Sequence, residues 1–278
     1  MGVWDIEVEG DHSYVTHGFL NHNCHDPNLQ NIPRPDSKYG KIIRGVWTAE
    51  PGWKLVVGDY GQIELVMFAH FAGKGTLFEG FWNGIDPHQV TADAVGIERQ
   101  AGKILNFTMV FGAGLYTIAS QLGVTANEAK KILAQHQRAM PEIYQLKRDI
   151  VSECRRRKPI PYVTTLLGGK RRLFDINSAD SGRRSYAERQ AVSAVIQGSA
   201  ADLNKLSMVR ADTLLAAVPD AFLTLTVHDE LVIETPEEYS DKVESILREA
   251  MTGEAIQNLI EVPLSVDIKT VSRWSEAK

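Results

Sequence analysis

Cysteine is nearly absent: Cys24 and Cys154 are the only two in 278 residues. Two thiols cannot build a disulfide framework, so each reads as a single thiol in a reducing compartment. Internal repeats and low-complexity tracts are missing, which excludes solenoids and disordered tails. No basic stretch followed by an apolar run opens the chain, so no secretory signal is expected and the expected location is cytoplasmic. A positive excess is missing too: 30 Lys+Arg stand against 35 Asp+Glu, a net charge of −5. That argues against a surface wrapped uniformly in nucleic acid and leaves room only for a local basic patch. The run from Ile104 to Asn127 carries no charged side chain and matches a bilayer in length. Asn106, Thr108, Gly112, Gly114, Thr117, Ser120, Gln121 and Gly123 interrupt it, however, so it does not read as a membrane span.

What is present is a 44% hydrophobic chain able to bury a sizeable core. Residues 3–9 alternate as a strand, Gly10-Asp11 turns, and Ser13–Val15 begins a second short strand. Asn28–Pro35 reads as a loop, Trp53–Asp59 as an apolar strand and Gln62–Phe71 as a helix. Asp86 as N-cap and Pro87 at the first helical position start a helix expected to run to about Phe111. Ala126–Arg157 predicts one or two helices, Tyr162–Leu167 a strand, and Arg183 to Leu215 a further helix. Ala221–Val227 and Leu231–Glu234 predict a hairpin with His228-Asp229-Glu230 at its tip. The expected class is α+β.

Two features suggest metal chemistry. Asp59 ends an apolar strand and Asp229-Glu230 sits at a hairpin tip, so one sheet could gather carboxylates from distant parts of the chain. Mg²⁺ prefers carboxylates completed by substrate phosphates, and two ions about 3.5–4 Å apart serve phosphoryl transfer. Taken alone, the same residues also read as a turn aspartate and a solvated hairpin tip. Arg99, Lys103, Phe107 and Phe111 recur every four residues; at roughly 100° per residue each step drifts by only about 40°, so all four share one side of a helix. Two cations and two aromatics in a stripe suit a nucleoside triphosphate, although an exposed polar turn followed by core aromatics gives the same pattern.

Several motifs in succession carry a resemblance. Asp26-Pro-Asn-Leu-Gln-Asn-Ile-Pro33, Asp59-Tyr-Gly-Gln-Ile-Glu-Leu65, Asp86-Pro-His88, Arg99 through Phe111-Gly112, Gln197-Gly-Ser-Ala-Ala-Asp202 and Val227-His-Asp-Glu-Leu231 resemble, in order and spacing, the motifs of family A DNA polymerases of the polymerase I type. The resemblance covers residues 24 to 278. It implies a palm, an antiparallel sheet with helices, and an inserted helical fingers subdomain: palm over 24–86, fingers over 87–182, palm again over 183–278. It implies two Mg²⁺ ions held by Asp59, Asp229 and the Tyr60 carbonyl, with Glu230 beside them. Arg99, Lys103 and His88 would bind the triphosphate, Lys103 also protonating pyrophosphate; Phe107 and Phe111 would line the nucleotide, and Glu64 would exclude a ribose 2′-hydroxyl. Arg189, Ser193, Gln197 and His228 would contact primer-template DNA. Where family members often have Ser, Tyr and Asn, this chain has Gly61, Phe111 and Ser193. Without the tyrosine hydroxyl at 111, sugar selection is expected to be looser.

Residues 1–23 fall outside that resemblance. Val3-Trp-Asp-Ile-Glu-Val-Glu-Gly-Asp-His-Ser-Tyr14 followed by Gly18-Phe-Leu-Asn-His-Asn-Cys24 resembles the C-terminal fragment of a split intein, a short β element. An Asn amide can attack its own carbonyl to form a succinimide, and a Cys thiolate can accept an acyl group. In that resemblance Asn23 cyclises, His22 assists, His12 transfers a proton and Cys24 is the nucleophile. It implies protein trans-splicing to an N-terminal polymerase half that carries the intein's N-terminal fragment, with activity expected only in the joined product. The partners expected are therefore primer-template DNA, deoxynucleoside triphosphates and that half, with no membrane. The alternative is a catalytically inactive DNA-binding remnant; a two-metal nuclease would not need the cationic stripe.

Charge is uneven along the chain. Residues 1–23 hold four acids and no Lys or Arg, residues 24–218 hold 25 basic against 18 acidic, and 219–261 hold 2 against 11. Residues 155–172 carry seven positive and no negative charges, expected to face template or primer phosphates.

Overall fold

The computed structural model describes residues 13–16, 19–22, 32, 33, 37 and 39–277, giving only the backbone for 13–16, for 19–22 and for Phe111. The expected strand over 3–9, most of the loop Asn28–Pro35, the residues His12, Asn23 and Cys24 and the side chain of His22 lie outside the described residues. Strands β1 (Ser13–Thr16) and β2 (Phe19–His22) pair antiparallel, Ser13 opposite His22. The chain is α+β and divides into two compact units.

The first unit comprises residues 1–61, 203–259 and 264–278. Its centre is an antiparallel sheet of order β6-β7-β3-β8, built from β3 (Trp53–Tyr60), β6 (Phe222–Val227), β7 (Glu230–Pro236) and β8 (Val266–Val271). β3 reads as a continuous apolar run because it is covered on both faces. Leu55 and Val57 join Val227, Val232 and Trp274 in one core cluster. On the other face helix α10 (Ser240–Thr252) comes so close that a Cβ on Gly58 would lie 2.8 Å from the Met251 sulfur and 2.9 Å from Leu247. Only glycine admits that approach, which completes the burial of Leu247; a fully buried leucine contributes about 1.5–3 kcal/mol. The Tyr60 hydroxyl at the end of β3 is buried, 2.7 Å from Ser207 Oγ and donating to the Met251 carbonyl at 2.6 Å. Burial raises its pKa to about 12, so it remains a neutral hydrogen-bonding anchor. Strand β8 and helix α10 were not expected; β8 is half-exposed and carries only a weak alternation.

The second unit comprises residues 62–202 and 260–263. It holds α2 (Ile63–Ala72), α3 (Thr76–Trp82), α4 (Pro87–Val95), α5 (Arg99–Phe111), α6 (Leu115–Leu122), α7 (Ala126–Ala139), α8 (Pro141–Arg156) and the first part of α9 (Ser181–Leu215), whose residues from Leu203 on belong to the first unit. Val95, Leu105, Ile118, Ala119 and Ala129 form a core among α4 to α7. The single helix expected over 87–111 is two. Gly96 adopts φ 74° and ends α4, and α5 starts afresh at Arg99. The expected N-cap is in place: Asp86 Oδ1 accepts from the His88 and Gln89 backbone N–H groups. The expected strand Tyr162–Leu167 is shorter, β4 (Tyr162–Thr164) pairing with β5 (Lys170–Arg172), because the Leu166 and Leu167 N–H groups bond instead to Ser199 Oγ and Asp202 Oδ2. Among the described residues no helix is long and apolar enough to cross a membrane.

Candidate active site

Asp59 and Glu230 are cross-strand partners at one end of the β3–β7 ladder. Asp229 precedes Glu230 in the turn, and its carbonyl accepts the Tyr60 N–H at 3.3 Å, so both aspartates stand at the same end of the sheet. Glu230 is only 2% exposed and is committed elsewhere: its Oε1 accepts from Trp274 Nε1 and lies 3.7 Å from Arg44 Nη1. Arg44, on the short helix α1 (Gly40–Arg44), lies 4.0 Å over the Trp274 ring, and its Nε donates to the Pro33 carbonyl at 3.2 Å. Burial lowers the Arg44 pKa, opposed by the charges of Glu230 and Asp59. Glu230 is therefore one arm of a buried Arg–Glu–Trp clamp.

Among the described residues no group of three or more His, Cys, Asp or Glu side chains gathers as a metal cage. Asp59 and Asp229 are hard oxygen donors at one ladder end. A pair of carboxylates whose remaining positions go to substrate phosphates and water is the donor set magnesium takes, so the residues fit that ion.

In the second unit, α4 and α5 bring two cations, a histidine and an aromatic ring together. Lys103 Nζ lies 5.9 Å from the centre of the Phe107 ring, and the His88 ring lies 6.0 Å from the same centre. Arg99 is paired with Asp86 at 2.8 Å, both half-exposed, a pair weak enough to yield to a phosphate. His88 is 2% exposed. Its Nδ1 lies 3.0 Å from Asn106 Nδ2, and that amide also donates to the Pro87 carbonyl. An NH₂ group can only donate, so Nδ1 accepts and the ring proton sits on Nε2. Burial lowers the His88 pKa, opposed by Asp86 and reinforced by Arg99 and Lys103, which keeps the ring neutral. Its Nε2 is buried without a hydrogen-bond partner. The Phe111 side chain lies outside the described residues; α5 ends there because Gly112 takes φ 65°, and a Cβ at 112 would meet Arg189 Cγ at 3.1 Å.

Ser193, Gln197 and Glu64 form a chain. Ser193 Oγ donates to Gln197 Oε1 at 2.8 Å, and the Gln197 side chain hydrogen-bonds Glu64. Burial raises the Glu64 pKa and that bond opposes it. Arg189 Nη1 donates to Ser185 Oγ at 2.8 Å. His228 belongs to the first unit and is exposed. The basic run is partly neutralised: Arg155 pairs with Glu188 and Arg157 with Glu153, while Arg156, Lys158 and Lys170 to Arg172 remain exposed. A groove of about 1060 Å³ within this unit is lined by Lys130, Lys147, Arg148, Arg156 and Arg189 over an apolar floor.

Sequence reasoning missed Arg44, Trp274, Asn204 and a buried group on α7 and α8. There the His136 Nδ1 lies 3.1 Å from the Tyr144 hydroxyl, and Lys147 donates to the Met109 carbonyl at 3.0 Å. Burial lowers the Lys147 pKa to about 8, and burial with the Lys147 charge lowers that of His136 to about 4. The unfolded chain therefore binds a proton at position 136 below about pH 6.5 that the folded state refuses until about pH 4. Stability is expected to fall as pH drops through that window, by up to about 1.4 kcal/mol per pH unit. Urea midpoints at pH 6.5, 5.5 and 4.5 test this; His136→Phe should flatten the slope, and an unchanged slope would refute the assignment.

The model of the family described as DNA polymerase family A matches residues 13–276. The chain is 36% identical over 262 residues to the thermostable DNA polymerase I of Thermus thermophilus, covering 91% of this chain and 31% of that protein. It is likewise 36% identical over 263 residues to DNA polymerase I of Geobacillus stearothermophilus, covering 91% and 29%. A solved structure described as the POL domain of Pol1 from M. smegmatis, in complex with DNA primer-template and dNTP, superposes with a TM-score of 0.83 at 32% identity, covering 94% of this chain and 46% of that one. The chain thus spans about a third of the length of the curated relatives it matches, and it belongs to DNA polymerase family A.

Proposed function

We propose that this chain supplies the catalytic palm and fingers of a DNA-directed DNA polymerase, adding deoxynucleotides to a primer 3′-hydroxyl. The observation that carries the reading is the placement of Asp59 and Asp229 at one end of the β3–β7 ladder. The 3′-hydroxyl gives its proton to solvent as its oxygen forms a bond to the α-phosphorus and the bond to pyrophosphate breaks. Arg99 and the neutral His88 Nε2–H bind the triphosphate oxygens, and Lys103 delivers a proton to the departing pyrophosphate. Phe107 packs against the nucleotide. Glu64, held by Gln197 and Ser193, occupies the space a 2′-hydroxyl would need. Mg²⁺, when held by Asp59, Asp229 and the Tyr60 carbonyl, supplies an activated attacking oxygen and a stabilised leaving one. Arg189, Gln197 and His228 grip the primer-template, and the exposed cations of 156–172 its phosphates.

The resemblance of residues 3–24 supports a further element of the reading: Asn23 cyclises, with His22 and His12 moving protons, and Cys24 takes the acyl group. The polymerase portion is thereby joined to a polypeptide carrying the rest of the polymerase. Co-expression with that polypeptide, followed by mass spectrometry and primer extension, tests both elements. The expected result is a ligated product lacking residues 1–23 that extends a primed template. A joined product without nucleotide addition would overturn the polymerase reading, and addition without loss of residues 1–23 would overturn the splicing reading.

A further inference from the structure

The turn that carries Asp229 is held by a residue with no part in the chemistry above. Val227 pairs with Glu230, so His228 and Asp229 alone connect β6 to β7. His228 has φ 57°, a left-handed conformation that costs a residue with a Cβ about 1–3 kcal/mol. In a two-residue turn the ladder fixes both ends, and the softest motion left is rotation of the central peptide between the two turn residues. That rotation changes ψ of His228 and φ of Asp229 together, and so swings the Asp229 carboxylate relative to Asp59.

Asn204, on α9 within the same unit, stands against this motion. Its Nδ2 donates to the His228 carbonyl at 3.0 Å and to Thr226 Oγ1 at 3.3 Å. The residue is 6% exposed, and its Oδ1 is buried without a hydrogen-bond partner. A buried orphan of that kind costs about 1–3 kcal/mol, which a leucine of similar volume would avoid. The amide is therefore a poor choice for packing alone, and what it adds is its two donors. Both acceptors bracket the turn, one on the last residues of β6 and the other on the rotating peptide itself.

Resting on the reading of Asp229 as a metal-holding carboxylate, we propose that Asn204 is a positioning residue that locks the His228–Asp229 peptide and thereby aims Asp229 beside Asp59. The test is Mn²⁺ titration of the full chain, following the free-ion EPR signal, alongside thermal unfolding. Asn204→Leu is expected to weaken Mn²⁺ binding by about 10- to 100-fold, as loss of a ligand-orienting partner does, with cooperative unfolding near the parent midpoint, because removal of the orphaned Oδ1 offsets the two acceptors left without their donor. Unchanged Mn²⁺ affinity, or weakened binding accompanied by a matching loss of stability, would overturn it. If Asn204→Leu fails to fold, Asn204→Ser is measured in the same way: weaker binding with cooperative unfolding supports the proposal, and unchanged binding refutes it. Asp59→Asn serves as the control. If it too leaves Mn²⁺ binding unchanged, the metal reading itself fails, independently of Asn204.

Discussion

Asp59→Asn is expected to lower nucleotide addition by at least about 10³-fold in the joined enzyme, while leaving the fold and most DNA affinity intact. A factor of that size corresponds to about 4 kcal/mol of transition-state stabilisation, within the range by which a bound metal or an aimed charge lowers such barriers. The substitution keeps side-chain volume and the β3 ladder, whose stability rests on Leu55, Val56 and Val57 and on the Tyr60 anchor. In the proposed reading, grip on DNA comes from cations elsewhere in the chain and is mostly indifferent to one carboxylate. Single-turnover primer extension reads the chemistry, and a gel-shift titration at matched salt reads affinity. A loss under tenfold would remove Asp59 from the chemistry, and a loss of DNA binding in proportion would mean that Asp59 acts through binding or folding instead.

Arg44→Met is expected to destabilise the first unit by about 3–5 kcal/mol, because it leaves the Glu230 carboxylate buried without its cation. For a domain of this size that is a fall of about 10 °C in the unfolding midpoint. The Arg44 charge is itself costly to bury, so the double variant Arg44→Met, Glu230→Gln should recover much of the loss, as replacement of a whole buried pair often does. Arg44→Lys should recover less, since an ammonium lacks the planar stack on Trp274 and the Nε bond to the Pro33 carbonyl. Thermal unfolding of the parent, Arg44→Met, Glu230→Gln and the double variant closes the cycle, with Arg44→Lys measured alongside. Equal losses in the single and double variants would mean that Arg44 acts through packing alone.

The clamp also explains why part of the site was legible in the sequence and part was not. Strand β3, the Asp86-Pro87 helix start, the stripe of Arg99, Lys103 and Phe107 and the β6–β7 hairpin all followed from periodicity and capping, which act over a few residues. The break between α4 and α5 was missed because one Gly96 inside an apolar pattern is locally tolerable and becomes a terminus only when it takes a left-handed φ. Arg44 and Trp274 gave no signal, since an arginine on a five-residue helix and a tryptophan near the chain's end look ordinary until strand pairing sets them on either side of Glu230. Gln197 was legible through its motif, but not its bond to Glu64.

What the sequence by itself determined was the inventory of chemistry: two aspartates at strand ends, a cationic and aromatic helix face, and a hairpin to carry the acids. Those follow from residue type and local spacing, which the chain carries with it into any fold. What only the tertiary structure decided was the division of labour among groups that look alike. Asp59, Asp229 and Glu230 are three carboxylates in one sheet, yet Glu230 is drawn into the Arg44–Trp274 clamp while Asp229 stands in a turn pinned by Asn204. The reason is that register places a side chain against partners far away in sequence, and a buried charge takes the role its partners allow.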